Sequence, residues 1–171
     1  MKPAFPFTPV VLACLLLTAC GFTPLYEAGG SSQAMAGHLS AVEVGPIPAR
    51  LGQVMRNRLL ARLNRGTTAK YHLAVTLEEK REGYGTRPDA AVTQEELTLV
   101  ARFTLTAIGE EAPVISDSFR LRTSYDLVQS DFATVTQRED SAQRLALELA
   151  ERIHRRLALY FSNRSSLPEG S

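Results

Sequence analysis

The apolar residues of this chain change their spacing three times, and that rhythm limits the available folds more than any other feature. They alternate at Val42 and Val44, then recur every four residues at Leu51, Met55, Leu59 and Leu63. From Tyr71 to Leu127 they alternate again, and from Ala142 to Tyr160 they return to helical spacing. Alternation belongs to a half-buried strand and a period near 3.6 to an amphipathic helix. The chain therefore reads β-α-β-β-β-α.

Each element carries its own signals. Pro46 and Pro48 end the first strand, and a proline is tolerated in a helix's first turn, so the first helix is expected over 49–64 with Gly66 at C′. Tyr71, Leu73, Val75 and Leu77 share one face, opposed by His72, Thr76 and Glu78. Leu97, Leu99, Ala101, Phe103, Leu105 and Ala107 repeat the pattern against Thr98, Arg102, Thr104 and Thr106. Phe119, Leu121, Thr123, Tyr125 and Leu127 do so against Arg120, Arg122, Ser124 and Asp126. Such segments are half-buried antiparallel strands. Residues 83–89 read as a long turn and 109–113 as a hairpin connection.

The last helix is expected over 137–160. Thr136-Gln137-Arg138-Glu139 fits a capping box. Ala142, Leu145, Leu149, Ile153, Leu157 and Tyr160 form its stripe, and Asp140/Arg144, Glu148/Arg152 and Glu151/Arg155 are i,i+4 ion pairs. A right-handed crossover makes the first two strands parallel, and hairpins add the others. Two apolar helix stripes need one apolar sheet face. The expected fold is an α/β (α+β) two-layer sandwich over 39–162, with two helices on one face of a mostly antiparallel four-stranded sheet.

The N-terminus adds an address. Lys2, an apolar run from Val10 to Leu17, and Leu17-Thr18-Ala19-Cys20 form a lipoprotein signal peptide over 1–19 that ends in a lipobox. The apolar run is far shorter than the roughly 20 residues of a membrane-spanning helix. Cys20 is expected to carry fatty acids such as palmitate, and two chains already give stable anchoring. Gly21 stands where an acidic residue would retain the chain at an inner membrane, so an outer-membrane anchor facing the periplasm is expected. Residues 20–38 read as a tether of roughly 25 Å typical reach, and 163–171 as a disordered tail.

Composition excludes several function classes. Cleavage leaves 152 of 171 residues and, with Lys2 gone, 18 basic against 18 acidic side chains, which gives no nucleic-acid footprint. Cys14 leaves with the signal and Cys20 takes lipid, so no disulfide is expected; stability rests on a core drawn from 44% apolar residues.

A search for chemistry yields no catalytic residues, no metal site and no cofactor. The chain lacks a Gly-x-Ser-x-Gly elbow, a His-Glu-x-x-His pair and a phosphate loop. His154 fits a solvated position near a helix end. Glu78-Glu79 and Glu110-Glu111 are adjacent pairs, and adjacent strand residues point apart. Arginines remain: Arg102, Arg120 and Arg122 on the polar sheet face could meet lipopolysaccharide phosphates through bidentate hydrogen bonds, although a solvated polar face explains them too. Arg56, Arg58, Arg62 and Arg65 flank the first helix's stripe, where a solvated helix surface explains them as well as a phosphate contact does.

Cys20-Gly21-Phe22-Thr23-Pro24-Leu25-Tyr26, set directly on the lipobox, resembles the opening of the lipopolysaccharide-assembly lipoproteins, the LptE family, in its alphaproteobacterial form. The amphipathic first helix, the threonine-rich strands and the closing Leu157-Ala158-Leu159-Tyr160-Phe161 extend the resemblance over nearly the whole mature chain. It implies two helices on a mostly antiparallel four-stranded sheet. It also implies a non-enzymatic role as plug and partner of the β-barrel LptD, assisting its assembly and lipopolysaccharide delivery to the outer leaflet, with direct lipopolysaccharide binding in some members. Phe22, Pro24, Leu25 and Tyr26 are then candidate barrel contacts. A periplasmic auxiliary lipoprotein of a lipid-trafficking ABC transporter is the alternative, and a lipid-anchored hydrolase a more distant one.

Overall fold

The computed structural model describes residues 31–63, 68–86, 92–127 and 130–165. In chain order these form α1 (Ser31–Ser40), β1 (Val42–Val44), α2 (Ala49–Arg62), β2 (Tyr71–Thr86), β3 (Val92–Ala107), β4 (Pro113–Asp126) and α3 (Asp131–Ser165). The sheet is mixed, in the order β1-β2-β3-β4, with β1 parallel to β2 and the other pairs antiparallel. The expected α+β class and element order are found, with a further helix ahead of β1.

The core lies between the helices and one sheet face. Leu73, Leu97, Leu99, Ala101 and Leu105 from the sheet meet Met55, Leu59 and Leu63 of α2 and Ala146, Leu149, Ile153 and Leu157 of α3, all essentially inaccessible to water. Each such Leu or Ile contributes about 1.5–3 kcal/mol by leaving water. One glycine is required by packing. A methyl at Gly52 would come within 2.7 Å of the Ile47 carbonyl oxygen, so α2 rests directly on the loop that precedes it.

Several expected boundaries move. Residues 31–38, read as tether, lie in α1: Met35 and Leu39, four apart, bury against the core, and His38 stacks on Phe161 at 5.3 Å. The capping box is displaced. Helix α3 starts at Asp131, six residues before the expected position, with Ser130 Oγ accepting from the Ala133 N–H at 3.4 Å. Thr136 lies inside the helix, and its hydroxyl donates to the Phe132 carbonyl at 2.9 Å. The helix also continues to Ser165, into the segment read as tail. Its buried aromatic is Phe161, fully covered against Tyr71 at 5.0 Å, whereas Tyr160 is only partly buried.

The strands are longer than their apolar runs. Strand β2 runs through Gly83, where a turn was expected, and pairs with β3 up to Thr86 opposite Val92. From Glu78 to Tyr84 its side chains are exposed, so no apolar alternation is needed there; ion pairs Arg81–Glu79 (3.2 Å) and Lys80–Glu82 (2.5 Å) decorate it instead. Cys20, Phe22, Pro24, Leu25, Tyr26, Arg65 and Gly66 lie outside the described residues.

Candidate functional site

Strand alternation sends even-numbered residues of β2, β3 and β4 to the face away from the helices. There the register sets Arg102 between Thr76 and Ser118, Arg120 opposite Val100, and Arg122 opposite Thr98. The three candidate arginines are thus brought onto one patch, with Arg102 diagonal to Arg120. A shallow groove of about 330 Å³ lies over it, and its lining includes four cations, these three with Lys80, and three carboxylates, Glu78, Glu82 and Glu96.

Pairing on this patch is uneven. Arg102 Nη1 donates to Glu78 Oε1, whereas Arg122 Nη1 stands 3.9 Å from Glu96 Oε1. Arg120 is exposed and makes no ion pair among the described residues. The patch can offer a free guanidinium to an anion from outside, and Arg120 is the group that would do so without first breaking a pair.

The helix side holds a second polar group. Glu95 accepts from the Tyr125 hydroxyl and, at 3.1 Å, from Arg138 Nη2; Arg138 Nε donates to Tyr125 Oη at 3.0 Å. Burial, helped by the Glu95 carboxylate, pushes the Tyr125 phenol above its ordinary range, against the opposing pull of Arg138. Arg138 sits four residues before Ala142 on the buried stripe of α3. The capping-box reading hid that spacing.

Next to this group, a cleft of about 290 Å³ opens between the first turns of α2 and the early turns of α3, over Leu77 and Leu99. Arg50 and Glu139 bridge it at 3.4 Å. The α2–α3 seam continues with Glu151, which takes Arg58 at 2.5 Å and Arg62 at 3.3 Å from the neighbouring helix, in place of the expected Arg155. Burial works against the charged Glu151, but the two arginines outweigh it and hold the carboxyl below its usual range. Arg56 donates to the Gly45 and Val44 carbonyls at 3.1 and 3.4 Å and ties α2 to the end of β1.

His154, expected in water, lies in mid-helix on this seam and is half-buried. Burial holds its pKa below the ordinary value, with Arg62 and Arg155 adding to the effect and Glu151 opposing it. The other histidines are apart: His38 on Phe161, and His72 on the open face beside Gly45. Glu78 and Glu79 point to opposite faces, bound to Arg102 and Arg81. Among the described residues no three His, Cys, Asp or Glu side chains are grouped to hold a metal ion, and no helix is long and apolar enough to cross a membrane.

Comparison with known proteins decides the family. Residues 39–157 match the LptE family, described as lipopolysaccharide-assembly. The chain belongs to the LptE family. Its matched span runs from the last residues of α1 to the last third of α3. The Rickettsia prowazekii protein RP188 is 28% identical over 155 residues, covering 91% of this LptE-family chain and 97% of that protein. Two solved structures share the fold. A lipoprotein from Caulobacter crescentus CB15 superposes with a TM-score of 0.63 at 24% identity, over 78% of this chain and 98% of that one. Rare lipoprotein B from Shewanella oneidensis gives 0.58 at 19% identity, over 72% and 96%.

Proposed function

We propose that this LptE-family chain is an outer-membrane lipoprotein, acylated at Cys20 and facing the periplasm, that acts without catalysis as the partner of an LptD-type β-barrel in delivering lipopolysaccharide to the outer leaflet. The family match over 39–157 carries the reading and supports a role in lipopolysaccharide assembly. The lipobox adds the anchor. A core closed by three helices on one sheet face leaves the other face free to meet something else.

In this reading Phe22, Pro24, Leu25 and Tyr26 contact the barrel, and Arg102, Arg120 and Arg122 meet lipopolysaccharide phosphates. Charge-assisted hydrogen bonds of that kind contribute about 1.5–3 kcal/mol each. Arg120→Ala therefore weakens lipopolysaccharide binding roughly tenfold and reduces its salt dependence, measured by titration of the full chain in detergent. Unchanged affinity removes the arginines from the proposal. The partner is tested by capturing a C-terminally tagged chain from gently solubilised outer membranes. Stoichiometric recovery of an LptD-type barrel is expected; recovery alone, or with inner-membrane transporter subunits, overturns the reading.

A further inference from the structure

Strand β4 ends the sheet, and its outer edge can be read residue by residue. The Leu127 N–H donates to the Thr93 carbonyl at 2.8 Å, and these two stand opposite each other when the Gln94–Asp126 register is continued by one step. In an antiparallel ladder, pairs that exchange hydrogen bonds alternate with pairs that do not. Odd-numbered residues of β4 therefore bond to β3, and the N–H and C=O groups of Ser116, Ser118, Arg120, Arg122 and Ser124 point away from the sheet. The one irregularity, at Leu105/Thr106, lies beyond this stretch. Asp117 Oδ1 takes the Ser118 N–H at 2.8 Å. Among the described residues no backbone hydrogen bond reaches the outward groups of Arg120, Arg122 or Ser124.

Natural sheets guard such edges with bulges, prolines and charges turned toward the core side. The other long edge is guarded. Strand β1 covers Tyr71–Leu73 of β2, and Glu79 with Arg81 then places a charged pair on its helix side. From Phe119 to Tyr125, β4 has no proline, no bulge and no inward charge. Its helix-side residues Phe119, Leu121 and Thr123 are only half covered.

We infer that the outer edge of β4, from Phe119 to Asp126, accepts an added strand from a partner polypeptide in which apolar and acidic residues alternate. The backbone row calls for a polypeptide, as in other strand-addition sites. The side chains choose its sequence. An incoming strand's acidic residues would stand opposite Arg120, which has no ion pair among the described residues, and Arg122, whose carboxylate is 3.9 Å away. Its apolar residues would cover Phe119 and Leu121. A second copy of the chain suits the edge poorly: antiparallel β4 pairs centred on Arg120 or Leu121 set arginine against arginine, and like charges directly opposite are destabilising. The inference does not depend on the lipopolysaccharide reading, since an added strand lies in the plane of the sheet and a lipid phosphate would lie above it.

Residue-resolved amide exchange on the full chain in detergent micelles tests this. In the free protein the amides of Arg120, Arg122 and Ser124 should exchange at least about tenfold faster than those of Phe119, Leu121 and Thr123. A capped decapeptide alternating isoleucine and glutamate should slow the outward set to the inward rate, and one alternating isoleucine and lysine should not. The double variant Arg120→Glu, Arg122→Glu should reverse that preference. Ser124→Pro removes one outward N–H and no bond to β3, so it should abolish the response while the inward amides stay slow. Outward amides already slow in the free chain, equal response to both peptides, no response, or protection by lipopolysaccharide in place of peptide would each overturn the inference. Failure to recover a barrel on capture would leave it standing.

Discussion

At Ala49 the backbone turns left-handed, with φ 64°, immediately after Pro48 and on the rim of the cleft between α2 and α3. A side chain in that region costs roughly 1–2 kcal/mol, because Cβ crowds the carbonyl. Glycine has no Cβ there but adds freedom to the unfolded chain. Ala49→Gly should therefore stabilise the protein by up to about 1 kcal/mol, seen as a higher urea midpoint with an unchanged slope. A lower midpoint would mean that the position is not strained. Two titrating groups lie at the other end of α2, on its seam with α3. The pKa of His154 is depressed from 6.5, so the unfolded chain binds more protons and stability falls as pH drops from about that value through the folded pKa. Glu151, depressed from 4.5, loses its contribution on further acidification through its own folded pKa. Urea unfolding at pH 7.5 and pH 5.5 should show the first loss, and His154→Gln should flatten the curve in that window only. Neither group was legible as such in the sequence, because both depend on which face of α3 meets α2.

Periodicity revealed the elements and missed their ends, for different reasons at each end. Helix α2 and the buried alternation of β2, β3 and β4 stand where the apolar residues put them, since burial itself writes that pattern. The outer half of β2, beyond Leu77, is exposed, so pairing with β3 holds it straight and leaves no trace in hydrophobicity. Helix α3 was misplaced because Thr136–Glu139 imitates a start signal, while the real one, Ser130 followed by Asp131, lies behind an exposed turn. The candidate arginines were legible because alternation alone puts them on one face; the Glu95–Tyr125–Arg138 group was not, as it spans three elements. Helix α3 buries more apolar side chains than either other helix. Leu149 is fully buried at its centre, and Leu149→Ala should cost about 2–5 kcal/mol. Gly52→Ala, which presses a methyl into the Ile47 carbonyl, should cost about 1–3 kcal/mol. Thermal unfolding checks both, and a near-neutral Gly52→Ala would show that α2 can slide on its preceding loop.

On the scale of the whole molecule, the two ends of the sheet differ. One end holds the aromatic cluster of Tyr71, Phe161 and His38. The other carries exposed Tyr84, and the first turns of α3 carry exposed Phe132 and Val135. Cys20→Ser should move the protein from the membrane to the soluble periplasmic fraction, followed by fractionation and immunoblotting; retention in the membrane would mean that something other than acyl chains holds it. If Cys20 carries lipid, α1 has a mechanical consequence. Folding Ser31–Ser40 onto α3 withdraws those residues from the leash. Only eleven peptide units then separate the acylated position from the body, which at full stretch span no more than about 40 Å. Strand β2 alone, sixteen residues long, extends roughly 50 Å. With that anchor the domain would be longer than the cord mooring it, and its rotation about the mooring, more than its distance from the bilayer, would decide which end meets a partner.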